Sequence, residues 1–271
     1  MFFPPVFAYK ILVNARQIRY TVAMTNGLYI DRVLLREPPG EDSYLSAIPA
    51  VRWLIENGEW RLSSPVTVLC GENGTGKSTL LEAVAVAYGF NPEGGTLNFT
   101  FSTEDSHSGL YRCIRLAKRR RPRNGFFLRA ESFYNMATYI DRHDADPESG
   151  GPIITGFGGV SLHQQSHGES FLAAVQHRFG GQGLYLLDEP EAALSPQKQM
   201  TLLVELKQLA DADSQIILST HSPILMAIPG AEVWELTGEG MRRVDYRATE
   251  HFTVYREFLN HPERMLSYLF D

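Results

Sequence analysis

The chain has 271 residues, 44% of them hydrophobic, and a formal net charge of −6. A chain of this length can bury a large core, and its acidic balance excludes a general electrostatic attraction to nucleic acid or anionic lipid. The two cysteines, Cys70 and Cys113, lie far apart without paired spacing, which excludes a disulfide framework or a zinc site and is typical of a reducing compartment.

Neither the N-terminus nor the apolar segments predict membrane insertion. The opening MFFPPVFAYK lacks a basic leading region and a cleavage site, and Pro4 and Pro5 interrupt its apolar run. The other apolar runs are too short to span a bilayer. We therefore expect a cytoplasmic protein.

The first predicted elements are strands. β-branched and aromatic residues flank a turn at Asn26-Gly27 and predict strands over Tyr9–Val22 and Leu28–Leu35. Val66–Cys70 is a continuous apolar run, as expected for a strand that is covered on both faces.

The glycine-rich segment GENGTGKST, residues 71–79, follows this strand, and the apolar LLEAVAVAYGF predicts a helix that begins near Lys77. Glycines let the backbone curl its N–H groups around a polyphosphate, and the start of a helix adds positive dipole. We expect Lys77 to reach the β- and γ-phosphates and Ser78 to hold magnesium. The expected nucleotide-binding residues are Asn73, Gly74, Thr75, Gly76, Lys77, Ser78 and Thr79.

The middle of the chain carries weaker signals. Tyr111–Leu116 and Gly125–Ala130 are predicted strands. Between them, Lys118–Arg123 reads KRRRPR, which is typical of a solvated surface loop and alternatively of a phosphate-binding patch. Gly, Pro and Asp residues predict a long loop over Asp141–Gly159.

Two later strands end in polar residues. Leu184–Leu187 is followed by Asp188 and Glu189, at the edge where a parallel sheet presents its ligand crevice. Asp188 can orient a metal-bound water, and Glu189, pointing the other way along an extended chain, can accept a proton from an attacking water. Strand Ile216–Ser219 leads to His221, which can donate a hydrogen bond to a γ-phosphate. The predicted catalytic residues are Lys77, Glu189 and His221.

Helices alternate with these strands. Helices are predicted over Ser166–Phe179, Gln197–Ala210 and Val254–Phe270. The first opens at QSHGES, where Ser166 and the amide of Gly168 suit an anion, although Ser166 can equally cap the helix without a ligand. The alternation predicts an α/β fold with a mainly parallel sheet flanked by helices and an antiparallel N-terminal β portion.

Together the motifs resemble the ATP-binding-cassette (ABC) type of P-loop ATPase. GENGTGKST, the signature-like QSHGE, LYLLDEP, EAALS and STHS occur in that family's order. FNPEGGTLNF, ESFYNMATYID and DEPEAALSP resemble the small stand-alone AAA/ABC ATPases, which are related to the overcoming-lysogenization-defect and chromosome-maintenance ATPases. The resemblance implies a head-to-tail homodimer with ATP and Mg²⁺ between the subunits, in which Ser166, Gly168 and Glu169 contact the opposite subunit's nucleotide.

Several positions depart from the family pattern. His167 and Glu169 stand where the signature usually carries glycine and glutamine, and Ser195 stands where the loop after the acidic strand carries aspartate. The family's lid glutamine is missing, and Glu131 stands near its expected place. The expected metal ligands are Ser78, Asp188 and Glu131.

We expect one domain over residues 1–271. Its parts are an N-terminal β portion (1–65), a phosphate-loop region (66–130), a reduced lid region (131–165) and a final region (166–271) that holds the signature, acidic strand, switch histidine and last helix.

The predicted function is Mg²⁺-dependent ATP hydrolysis by a soluble stand-alone ATPase that dimerises around ATP. The resemblance places it in DNA maintenance or anti-phage defence, with an effector protein as a further partner. Two alternatives stay open. One is the nucleotide-binding subunit of a membrane transporter, although the short 131–165 region leaves little room for a docking lobe. The other is an ATP-gated clamp with vestigial hydrolysis.

Overall fold

The computed structural model describes residues 28–40, 42–97, 108–130, 133–146, 149, 151–164 and 166–270. The strand predicted over Tyr9–Val22 and the metal ligand predicted at Glu131 lie outside these residues. The strands are β1 (Ile30–Leu35), β2 (Glu59–Arg61), β3 (Val66–Gly71), β4 (Gly95–Thr96), β5 (Ile114–Lys118), β6 (Asn124–Arg129), β7 (Gly183–Asp188), β8 (Gln215–Ser219), β9 (Glu232–Thr237) and β10 (Gly240–Val244). The α-helices are α1 (Pro49–Asn57), α2 (Lys77–Tyr88), α3 (Leu110–Cys113), α4 (Phe133–Ala145), α5 (His167–Arg178), α6 (Pro196–Asp211), α7 (Pro223–Met226), α8 (Glu250–Asn260) and α9 (Pro262–Phe270).

The strands form two sheets. The central sheet has the order β10-β9-β3-β8-β7-β6-β4, in which the inner strands run parallel and β10 and β4 pair antiparallel at the edges. The second sheet has the order β2-β1-β5 and is antiparallel. The predicted fold class, a mainly parallel sheet flanked by helices with an antiparallel N-terminal portion, is confirmed.

Strand β8 shows why helices cover both faces of the central sheet. Ile216 and Leu218 point into one core cluster, and Ile217, between them, points into the other. Side chains alternate across a strand, so a continuous apolar run supplies both layers. All three side chains are fully buried, and burial of an aliphatic side chain contributes roughly 2 kcal/mol.

A buried glutamine joins the two sheets. Gln215 Oε1 accepts hydrogen bonds from the backbone amides of Tyr29 and Ile30, at 2.7 and 2.8 Å, and its Nε2 donates to the Ile30 carbonyl at 2.8 Å. The amide side chain thereby satisfies backbone groups that would otherwise be buried without partners.

Two predicted elements in the middle of the chain differ from the structure. The strand predicted over Tyr111–Leu116 begins only at Ile114, because Leu110–Cys113 forms a helical turn. The loop predicted over Asp141–Gly159 is wrong for its first five residues, which belong to α4. The burial of Met136 and Ile140, four residues apart on α4, shows that tertiary packing overrides the polar composition of its end.

The C-terminal helix predicted over Val254–Phe270 is two helices. Helix α8 ends at Asn260 and α9 begins at Pro262. Proline has no N–H and its ring clashes with the preceding turn, so one helix ends before it and the next begins with it. In the part of the chain that the structure describes, no helix combines the length and the apolar character that a membrane crossing requires.

Candidate functional site

A cleft of about 320 Å³ opens at the carboxyl edge of the central sheet. Strands β3, β6 and β7 end there, because parallel strands place their carboxyl ends at one edge. The volume suits a small-molecule ligand. The lining residues are Ser78, Arg129, Ala130, Asp188, Glu189, Ala192 and Ala193. Three of the predicted site residues therefore share one cleft, although they come from distant segments.

The loop between β3 and α2 uses its glycines for two different reasons. Gly71 has φ +133°, and a Cβ there would lie 2.0 Å from the Leu236 carbonyl oxygen, so its packing against β9 excludes any side chain. Gly74 has φ +80° and open space around its Cβ position. The left-handed backbone alone favours glycine there, and the space in front of the loop stays accessible.

The start of α2 can receive an anion. Its N-cap is Gly76, in left-handed conformation, and no described side chain caps the helix. The first amides of an α-helix lack intrahelical acceptors, so they point toward the open space at the loop. Helix α1, which the sequence analysis did not predict, supports the loop, since Ala50 N donates to the Thr75 carbonyl at 3.1 Å.

Lys77 lies inside the loop. Its side chain is buried, and Nζ donates to the carbonyl oxygens of Gly71 and Glu72 at 2.8 and 3.0 Å. Burial lowers the pKa of Lys77, whereas the carboxylates of Glu189 and Asp188 raise it. The ammonium group is therefore held beside two acids at the mouth of the phosphate loop.

Asp188 ends β7 with one oxygen unsatisfied. The residue is 6% exposed, and its Oδ1 has no hydrogen-bond partner within the described residues. Burial raises the pKa of Asp188 to about 6, whereas Arg129 and then the Ser78 hydroxyl lower it. Arg129 Nε lies 3.7 Å from Asp188 Oδ2. A buried acceptor without a partner is costly, so this carboxylate is suited to bind a cation.

Magnesium fits this set of donors. Mg²⁺ prefers oxygen ligands, commonly one or two protein oxygens completed by phosphates and water, and Ser78 and Asp188 are of that kind. No cluster of three or more His, Cys, Asp and Glu side chains that could hold a metal occurs in the ranges that the structure describes. The side chains in these ranges therefore do not form a metal cage by themselves, and phosphate oxygens would have to complete the coordination at Ser78 and Asp188.

Asp188→Asn is expected to remove a pH-dependent part of the stability of the metal-free protein. The folded-state pKa of about 6 exceeds the ordinary 3.8, so the folded protein binds this proton more tightly and the free energy of unfolding falls as pH rises from 3.8 to about 6. The fall amounts to about 3 kcal/mol. Denaturant unfolding of both proteins in EDTA, from pH 3 to 7.5, measures the difference. Parallel stability curves would contradict the buried-carboxylate assignment.

Glu189 adopts a left-handed backbone, not the extended one that the sequence analysis expected. Its φ is +49°, its N–H donates to the Ser219 carbonyl at 3.0 Å, and the 3₁₀ turn Pro190–Ala193 follows. For a residue with a Cβ, this conformation costs on the order of 1 kcal/mol. Glu189 Oε1 consequently lies 3.4 Å from His221 Nε2, so the ends of β7 and β8 bring the acid and the histidine together.

His221 is held from three sides. Its backbone N–H donates to the Glu191 carboxylate, its Nε2 faces Glu189, and its Nδ1 lies 3.0 Å from Nε2 of His251 on α8. Burial and then Lys77 lower the pKa of His221, whereas Glu189 raises it. Burial also raises the pKa of Glu191.

Two residues of the site were missed in the sequence analysis. Arg129 ends β6 directly opposite Asp188 and donates to Glu82 Oε2 at 2.8 Å. Arg129 lies inside the strand predicted over Gly125–Ala130, and the signal that could have identified it is a polar side chain directly after the apolar run Phe126–Leu128. His251 carries no such signal, because it lies 30 residues beyond His221 on a separate helix.

The signature-like segment lies at the start of α5. Ser166 Oγ and N both donate to Glu169 Oε2, at 2.6 and 3.1 Å, and both residues are exposed. Hydrogen bonds from Ser166 lower the pKa of Glu169. Gly168 is buried, and a Cβ there would lie 2.6 Å from the Ala193 carbonyl oxygen. This segment packs beside the cleft but does not line it.

Comparisons with known proteins give two family matches. A family model described as "AAA domain, putative AbiEii toxin, Type IV TA system" matches residues 158–227, and a model described as "AAA domain" matches residues 50–140. The first match contains α5, β7 and β8, and the second contains the phosphate loop and β6. No curated protein matches the sequence.

Two solved structures resemble this chain over most of its length. The SMC head domain from Thermotoga maritima is 15% identical, with a TM-score of 0.41, over 80% of this chain and 99% of that one. The cbiO1 protein from Clostridium perfringens, part of the ABC transporter complex cbiONQ, is 14% identical, with a TM-score of 0.45, over 87% of this chain and 97% of that one.

The family matches and the geometry of the site agree. The matched segments carry the phosphate loop and the acidic strand, and the central sheet brings these two motifs to one cleft. The two matched segments are similar to AAA domains and support a P-loop ATPase of the AAA/ABC type.

Proposed function

We propose that this protein binds MgATP at the cleft and hydrolyses it at composite sites between two copies of the chain. The observation that carries the proposal is the meeting of Ser78, Asp188 and Glu189 around one cleft of about 320 Å³. A hydroxyl, a buried carboxylate and a half-exposed carboxylate are the groups that metal-assisted phosphoryl transfer needs.

Each side chain has a positional or electrostatic role in this proposal. The amides of residues 73–79 and Lys77 bind the β- and γ-phosphates, and Ser78 and Asp188 hold the metal. Bound Mg²⁺ would neutralise charge on the phosphate oxygens. Glu189 orients and deprotonates the attacking water, and His221 donates a hydrogen bond to the γ-phosphate.

The second subunit supplies the signature segment. Ser166 and Glu169 are exposed on the outside of the fold, which suits contact with another molecule. The Ser166 N–H and hydroxyl both donate to the Glu169 carboxylate, which therefore occupies the anion position at the start of α5. A phosphate from the opposite subunit would have to replace this carboxylate or bind next to it. The proposed homodimer would therefore place two negative groups close together.

Glu169→Gln is accordingly expected to strengthen ATP-dependent dimerisation by about tenfold, or roughly 1.4 kcal/mol. Glutamine keeps an acceptor for the Ser166 N–H but removes the charge that repels the γ-phosphate. Sedimentation velocity with a non-hydrolysable ATP analogue and Mg²⁺ measures the dimer dissociation constant. Glu56→Gln, an exposed change on α1, is the matched control. Weaker dimerisation of the Glu169 variant would contradict the placement of this residue near phosphate.

The direct test of the function is phosphate release from MgATP at increasing protein concentration. Composite sites require two subunits, so the specific activity is expected to rise with concentration until the dimer saturates. Activity that does not depend on protein concentration would support ATP hydrolysis but contradict composite sites that form on dimerisation. Absence of phosphate release at any concentration would leave ATP-gated clamping, which the departures at His167 and Glu169 favour.

For the cellular role, we propose anti-phage defence or DNA maintenance with a separate effector. The matched family description, which names a toxin of a Type IV TA system, supports the defence role. The basic run over residues 118–123 gives weaker support to DNA binding, because Arg119 pairs with Asp31 at 2.9 Å and Arg120 pairs with Asp213 through both of its terminal nitrogens. These two cations serve the protein's own fold.

A transporter subunit is the second candidate. The helix α4 occupies the region between β6 and the signature helix α5, where transporter ATPases carry the lobe that docks on their membrane partner, so this region holds more structure than the sequence analysis expected. Stable copurification with a polytopic membrane protein would favour this candidate over the stand-alone ATPase.

A further inference from the structure

His251 on α8 contacts the candidate γ-phosphate sensor directly. Its Nε2 lies 3.0 Å from Nδ1 of His221, and the two ring centroids are 5.1 Å apart. The other nitrogen of His221, Nε2, lies 3.4 Å from Glu189 Oε1. His221 therefore has a defined neighbour at each ring nitrogen.

The fold holds His251 in place. Thr249 caps α8 and is fully buried, and its Oγ accepts from Phe252 N at 3.3 Å. The buried Glu235 of β9 accepts from Glu250 N at 2.8 Å. The residues on either side of His251 are thus anchored, and its ring is not a freely moving surface group.

When both rings are neutral, only one arrangement of protons satisfies the contacts. An ionised carboxylate accepts hydrogen bonds only, so Glu189 requires a proton on His221 Nε2. Neutral His221 then has a lone pair on Nδ1, and His251 must donate from its own Nε2. This leaves His251 Nδ1 as an acceptor, and that atom is buried without a hydrogen-bond partner among the described residues.

The reverse arrangement has two faults. A proton on His221 Nδ1 would put the lone pair of Nε2 against the Glu189 carboxylate. It would also make His251 Nδ1 a buried N–H donor without an acceptor, which costs more than an unused lone pair. The lowered pKa of His221, caused first by burial and then by Lys77, favours a neutral ring in which the choice of tautomer matters.

We propose that His251 is a positioning residue that donates a hydrogen bond to His221 Nδ1 and thereby holds His221 as the Nε2–H tautomer, the form that can donate to Glu189 or to a phosphate. The link to turnover rests on the proposed ATPase function. The tautomer itself does not, because it depends only on the His221–His251 and His221–Glu189 contacts within the protein.

The test is long-range ¹H–¹⁵N NMR of histidine-labelled protein at pH 7.5, with His221 assigned by its loss in His221→Asn. The parent is expected to give the Nε2–H pattern for His221. His251→Phe removes the donor and is expected to yield a mixture of tautomers. His251→Gln presents an amide N–H near the position of Nε2 and is expected to restore the Nε2–H form. His261→Gln, an exposed change at the end of α8, is the matched control.

Steady-state kinetics supplies the second readout. Loss of the preferred tautomer is expected to lower kcat about tenfold in His251→Phe with KM changed less than about threefold, and His251→Gln is expected to recover most of kcat. An Nδ1–H pattern in the parent, or an unchanged His221 pattern in a folded His251→Phe protein, would overturn the proposal. If the parent shows the Nε2–H form but no ATPase activity, and His251→Phe shows a mixture of tautomers, the positioning role is supported and the proposed hydrolysis is rejected.

Discussion

Glu189→Gln is expected to lower the rate of ATP hydrolysis by at least about a hundredfold while ATP binding is retained. The backbone of Glu189 is set by its left-handed φ of +49° and its hydrogen bond to Ser219, so glutamine should occupy the same place. The amide oxygen can still accept from His221 Nε2, which faces Glu189 at 3.4 Å. What is lost is the charge that accepts a proton from water.

The same change is expected to lengthen the lifetime of the ATP-bound dimer, because the phosphate-binding loop is untouched and the γ-phosphate stays in place. Phosphate release under single-turnover conditions and sedimentation with MgATP measure the two effects. Glu56→Gln on the exposed face of α1 is the control for a change of charge alone. Turnover within a few fold of the parent would remove Glu189 from the base role.

Lys77→Ala is expected to weaken ATP binding by at least about a hundredfold, which corresponds to about 2.7 kcal/mol. The Lys77 ammonium group lies in the phosphate loop, where Nζ contacts the carbonyl oxygens of Gly71 and Glu72. Phosphates would offer stronger, charge-assisted acceptors than these carbonyls. Alanine leaves the loop amides but removes the one cationic side chain that we place against the phosphates.

Calorimetric titration with ATP and Mg²⁺ measures this loss, and Lys207→Ala is the control, since Lys207 forms a surface ion pair with Asp211 on α6. Thermal unfolding of the Lys77 variant separates a loss of binding from a loss of fold. We expect a small change in stability, because the two hydrogen bonds lost are offset by removal of a buried charge. Undiminished affinity in a folded Lys77→Ala protein would overturn the assignment of the loop.

Part of the candidate site was predictable because its residues lie next to recognisable strands. The segment GENGTGKST needs only its own neighbours, a buried strand and a following helix, and both are present as β3 and α2. Asp188 was predictable because the carboxyl ends of parallel strands meet at one edge. The same rule applies to Arg129, a polar residue that follows the apolar run Phe126–Leu128 and ends β6 opposite Asp188.

Other features depend on contacts between segments that no local pattern relates. Helix α1 supports the phosphate loop through Ala50, and the two sheets are joined by Gln215. Both contacts cross from one element to another distant in sequence. A single sequence carries no signal for these contacts, since neither Ala50 nor Gln215 stands out from the residues around it.

The sequence by itself determined the alternation of strands and helices, the phosphate loop and the acids at the end of β7, because apolar runs and glycine spacing act over a few neighbouring residues. Tertiary structure alone decided how those acids are used. The burial that raises the pKa of Asp188, the left-handed turn at Glu189 and the contact between His251 and His221 all arise where β7, β8 and α8 meet. Desolvation and hydrogen-bond geometry depend on every element packed around a group, and chain order does not specify that packing.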